Sequence, residues 1–185
     1  MGEKRINKPH IMICGGKDSG KSALIYRLTS KCTVPIGGFA TRCSPKDVDG
    51  LHCVYIHHPA DETMAGGREN LVGICNGSER TIYPQIFDTL GVKYLRQGGS
   101  IIIMDELGFM EANSRLFCQE VFSRLDGDTH VLAAIKATSG VAFLDKARNH
   151  PKTDLYNITK DNQEDLFHLL LPIVLSWNNE ELAKI

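Results

Sequence analysis

The 185-residue chain has no excess of charge of either sign: 21 Lys+Arg face 22 Asp+Glu, for a net charge of -1. A near-neutral chain lacks the broad cationic field that nucleic acids or anionic lipids select, so neither partner is expected. Long apolar runs are also missing. The most apolar stretch, 167–177, is broken by His168, Pro172 and Ser176, far short of the ~18 residues a membrane span needs. The first nine residues are polar and basic with no apolar stretch, so no secretory signal is expected there. The six cysteines contain no C-x-x-C pair, and the seven histidines do not join them at zinc-finger spacing. Reduced, mostly buried thiols in a cytoplasmic protein are expected. No internal repeat or low-complexity tract occurs. With 42% hydrophobic and 23% charged residues, one globular domain covering 1–185 is expected.

What is present alternates between two patterns. Short apolar runs at 10–14, 101–104, 131–135 and 155–158 read as buried strands. Helical spacing appears at 21–28, at 84–97 behind Pro84, and at 114–125. A closing helix is expected from near Thr159, kinked or ended at Pro172. Residues 36–42 and 51–57 read as a hairpin around the turn-rich 44–50, with His57-His58 at its end. The Gly-rich stretch 58–80 reads as loop. Apolar runs separated by helices predict an α/β fold: a three-layer α/β/α sandwich, mostly parallel, with one antiparallel hairpin.

The first strand runs into Gly15, Gly16, Lys17, Asp18, Ser19, Gly20, Lys21 and Ser22, which match G-x-x-x-x-G-K-[ST] at every fixed position. Glycine at 15 and 20 allows torsions a side chain would forbid, so successive backbone N–H groups can turn inward. Those amides and the following helix N-terminus present partial positive charge to phosphate oxygens. Lys21 would reach the β and γ phosphates, and the Ser22 hydroxyl would ligate Mg²⁺. Lys17 and Asp18 occupy unfixed positions at the loop tip.

A second apolar strand ends in Asp105-Glu106. At a strand's carboxyl end, Asp105 would face the same crevice and share the metal ion with Ser22. Glu106 is placed to take a proton from a water attacking the γ phosphate. Lys136, behind the run 131–135, is a candidate for neutralising transition-state charge, and Arg68 a weaker one. Thr159 and Asn162 read as helix-capping residues.

These segments together resemble the nucleoside-triphosphatase family of the THEP1 type. The resemblance rests on the loop at 15–22, on Gly38-Phe39-Ala40-Thr41, on Asp105-Glu106-Leu107-Gly108-Phe109-Met110-Glu111, and on Asn157-Ile158-Thr159-Lys160-Asp161-Asn162. It implies a P-loop fold and Mg²⁺-dependent hydrolysis of ATP, GTP and other nucleoside triphosphates. It assigns phosphate binding to 15–22, and metal and water to Asp105 and Glu106. Two departures stand out. Phe109 replaces the family's usual lysine, and Arg42-Cys43 replace two glutamates after the threonine. Phe109 reads as core and Arg42 as surface.

Two alternatives stay open at this level. A small-molecule kinase could use the same loop, since 15–22 also resembles that of the adenosylcobinamide kinase family; Arg68 and Arg80 are the arginines available to a lid between 60 and 80. A nucleotide-gated switch would suit Asp105-Glu106-Leu107-Gly108 as D-x-x-G, but no Asn-Lys-x-Asp tetrad accompanies it.

Overall fold

The structure, a computed structural model, describes residues 8–45, 51–61, 63–76 and 79–184. The turn expected at 44–50 lies partly outside these residues, as does most of the polar amino-terminal segment.

Eight strands form one sheet in the order β5-β4-β3-β2-β6-β7-β1-β8. They are β1 (His10–Gly15), β2 (Ile36–Cys43), β3 (His52–His57), β4 (Leu71–Asn76), β5 (Glu79–Ile82), β6 (Ile101–Leu107), β7 (His130–Lys136) and β8 (Thr153–Asn157). From β2 to β8 all neighbours are parallel, and β3, β4 and β5 extend the sheet antiparallel. The fold is therefore the expected mostly parallel α/β/α sandwich, with a larger antiparallel wing than a single hairpin. Strands β4 and β5 fall where a loop was expected. Gly73 and the polar Glu79-Arg80-Thr81 stretch dilute their apolar signal, because a sheet edge can leave such positions in water.

The apolar runs are explained by burial of both faces. Along β6, Ile101 and Ile103 point to one layer, Ile102 and Met104 to the other. The first layer packs on helices α1 (Lys21–Thr29) and α6 (Gln163–Leu182) through Leu24, Leu28, Leu170 and Trp177. The second packs on the segment 84–97 and on α4 (Arg115–Asp126) and α5 (Ala142–Arg148). Segment 84–97 is α2 (Pro84–Ile86), a π-helical turn (Phe87–Gly91) and α3 (Val92–Gln97) in succession. Phe39 of β2 meets Phe117 of α4 edge-on with ring centroids 5.0 Å apart. Gly38, at φ 95°, brings β2 so close to β6 that a Cβ would lie 2.0 Å from the Ile103 carbonyl oxygen.

Three details differ from expectation. Helix α6 begins at Gln163 and runs through Pro172 to Leu182. The proline removes only the bond to the carbonyl four residues back, at His168, whose side chain is exposed; Leu170, Val174 and Trp177 keep the helix seated on the sheet. Asn162 holds the N-cap position, but neither it nor Thr159 makes a side-chain capping bond to the helix. The Asn162 side chain instead accepts from the Thr159 amide and donates to the Asn157 carbonyl, bracing the β8–α6 loop. Of the six free cysteines only Cys14 is buried, since Cys43, Cys53 and Cys75 lie on the thinly covered antiparallel wing. Among the described residues no helix is long and apolar enough to cross a membrane.

Candidate active site

The loop between β1 and α1 lies at the carboxyl ends of the parallel strands, where α/β sheets hold their ligands. Gly20 adopts φ 93°, as the motif requires of its second glycine. Gly15 is not left-handed. Its need is for space, because a Cβ there would sit 2.5 Å from Ser19 Oγ and 2.7 Å from Ile158. Asp18 takes a positive φ of 57° at the tip, which its short polar side chain tolerates. Ser19 Oγ donates to the Gly16 carbonyl at 2.9 Å, and Gln163 of α6 donates to the Ser19 carbonyl at 3.0 Å, so the loop is held from inside and from behind.

Lys21 is 5% exposed. Its ammonium donates to the carbonyls of Gly15 (3.1 Å) and Gly16 (2.6 Å) and lies 3.4 Å from Glu106 Oε1. Ser22 Oγ donates to Asp105 Oδ1 at 2.8 Å. The parallel strands β1, β7 and β6 thus bring Ser22 beside Asp105, as expected from sequence, and Lys21 beside Glu106, a pairing not anticipated. Between Met104 and Leu107 the β6–β7 register slips by one residue, a bulge of the kind that re-aims side chains beside sites. Ser22 and Asp105 supply the hard oxygen donors that suit Mg²⁺. Among the described residues no cluster of three or more His, Cys, Asp or Glu forms a separate metal cage.

Arg42 is not merely a surface residue. Its Nη1 donates to Asp105 Oδ2 at 2.7 Å, so both oxygens of this carboxylate are engaged. Register explains it: Ala40 of β2 pairs with Asp105 of β6, so β2 carries Arg42 alongside that acid. Thr41, from the same strand, accepts the Glu106 amide at 3.3 Å.

A cavity of about 890 Å³ opens over the loop, lined by Lys21, Glu106, Lys136 and Glu111 among others. Lys136 thus belongs to the site, whereas Arg68 is exposed and away from it. Phe109 serves two purposes. It packs on the second core layer and lines the cavity beneath two cations: Arg80 Cζ lies 4.5 Å, and Lys136 Nζ 5.1 Å, from its ring centroid. Sequence reasoning assigned no role to Glu111. It is 2% exposed, Oε1 accepts the Gly108 amide at 3.1 Å, and Oε2 has no hydrogen-bond partner. Burial pushes its carboxyl up to about 7, against the opposing pull of the Gly108 bond and Lys136. Its sequence signal was its place as the last residue of the 105–111 segment that carries the family resemblance.

The chain is similar to known proteins over most of its length. The NTPase family is matched over residues 10–171. The nucleoside-triphosphatase THEP1 of Thermotoga sp. (strain RQ2) is 28% identical over 174 residues, covering 92% of this chain and 98% of its own length. The cancer-related nucleoside-triphosphatase of Homo sapiens is 27% identical over 183 residues, covering 89% and 94%. The crystal structure of THEP1 from the hyperthermophile Aquifex aeolicus shares the fold, with a TM-score of 0.68 at 19% identity over 89% of this chain and 98% of that one.

Proposed function

The chain belongs to the NTPase family, and from that premise we propose that residues 1–185 work as one Mg²⁺-dependent domain hydrolysing ATP or GTP to diphosphate and phosphate. The observation that carries this reading is that Lys21, Ser22 and Glu106 line one cavity, with Asp105 bonded to Ser22 and with Lys21 and Glu106 3.4 Å apart. The amides of 15–20 and Lys21 bind the phosphate tail, Lys21 exchanging its carbonyl partners for phosphate oxygens. Ser22 and Asp105 would hold the ion, with Arg42 fixing the second oxygen of Asp105. Bound there, Mg²⁺ supplies charge neutralisation across the β and γ phosphates. Glu106 orients a water and takes its proton as the oxygen bonds to the γ phosphorus. The bond from that phosphorus to the β-bridging oxygen breaks, and the diphosphate leaves with the electron pair. Lys136 offsets charge gathering on the transferred group. Six thiols free of disulfides suit a reducing, cytoplasmic setting.

Phosphate release and equilibrium nucleotide binding, measured with and without Mg²⁺, test the proposal. Glu106→Gln should bind nucleotide as the parent does and hydrolyse it roughly 10²–10⁴-fold more slowly. Lys21→Ala should lose binding. Turnover of Glu106→Gln at the parent rate removes Glu106 as the base.

A further inference from the structure

The cavity extends past the groups that hydrolysis uses: its volume of about 890 Å³, which also takes the phosphate tail, continues beyond the phosphate loop across the antiparallel wing. Its far part is walled by His52 and Val54 of β3, Cys75 of β4, Arg80 of β5, and by Phe109 and Glu111. None of these side chains has a part in the hydrolytic step above.

The chemistry of this wall is specific. Arg80 and Lys136 place two cations about the ring of Phe109. Glu111, almost wholly buried, lines the same space with one oxygen unpartnered. Burial raises its carboxyl to about 7, so below neutrality it carries a proton and can donate to an anion rather than repel it. Val54 and the Phe109 ring add apolar surface, which favours an organic molecule over a bare inorganic anion. Lys136 joins this part to the phosphate end of the cavity, and Glu106 is close enough to Glu111 to raise its carboxyl electrostatically.

We propose that the far part of the cavity is an acceptor subsite: it binds a small organic oxyanion bearing a hydroxyl, through Arg80, Lys136 and Glu111, and directs that hydroxyl at the γ phosphate in place of water. The inference rests on the nucleotide placement proposed above. In the step, the acceptor's hydroxyl oxygen bonds to the γ phosphorus as the bond to the β-bridging oxygen breaks. The nucleoside diphosphate leaves with that electron pair, and the hydroxyl proton passes to Glu106. Arg80 and Glu111 bind the acceptor and take no part in water attack.

ATP labelled in its γ phosphate, with Mg²⁺, is incubated alone, with glycerol 3-phosphate, and with glycerate, and the label is followed into organic and inorganic products. The two acceptors separate a phosphate-bearing from a carboxylate-bearing ligand. Label should enter at least one of them. Arg80→Ala should raise that acceptor's KM tenfold or more while phosphate release without acceptor stays at the parent rate. The parent's acceptor KM should rise above pH 7, and Glu111→Gln, which keeps a donor, should abolish that rise. Normal phosphate release with no labelled acceptor overturns the subsite alone, as does an acceptor KM unmoved by Arg80→Ala. Transfer without release into water supports the subsite and overturns the hydrolase reading, and the absence of both overturns both.

Discussion

Glu111 illustrates what a single buried carboxyl does to stability as well as to binding. Its carboxyl moves from 4.5 to about 7 because burial disfavours the charged form. A raised value means the contribution is fully present below pH 4.5 and is lost as pH rises through 7, by about 3 kcal/mol in all. Glu111→Gln should therefore gain on the parent progressively between pH 4.5 and 7, with a constant difference above; urea titrations at several pH values measure it, and parallel profiles would contradict it. The residues visible in the sequence were those whose chemistry demands a fixed local spacing, such as Lys21 and Ser22 behind Gly20, or Asp105-Glu106 at a strand end. Arg42 escaped because its partner lies 63 residues away and is reached only through the β2–β6 register. Glu111 escaped because isolation from water has no local sequence signature.

At the level of elements, the same distinction holds. Strands β1, β6 and β7 were readable because both faces are buried and their runs 11–14, 101–104 and 131–135 are unbroken apolar residues. Strands β4 and β5 were not, since the edge position lets Arg80 and Glu79 stay exposed. Helix α6 was readable but its passage through Pro172 was not, because packing outweighs one missing backbone bond. The contact between β2 and β6 is the most demanding of these joints. Gly38→Ala would force a Cβ against the Ile103 carbonyl in a left-handed conformation, and should cost at least about 2 kcal/mol. A lowered urea midpoint with an unchanged slope is the expected result; parent-like stability would mean that the strands can part without penalty.

For the whole molecule, ligand linkage gives the broadest check. A nonhydrolysable triphosphate analogue with Mg²⁺ at 100 times its Kd should add about 2.7 kcal/mol. For a chain of this size that corresponds to a rise in Tm of roughly 5–10 °C. Chelating the metal should shrink the shift, and Lys21→Ala should erase it; a full shift in that variant would place the ligand elsewhere.

The sheet order carries one further consequence, for biosynthesis. Strand β1 leaves the ribosome first, yet its two neighbours are β7 and β8, and the loop that follows it leans on Gln163. Strand β1 must therefore wait unpaired until translation has passed β7, which ends at residue 136 of 185. A premature stop between the motif and β7 leaves a product that has every letter of the motif and neither of the strands that flank β1.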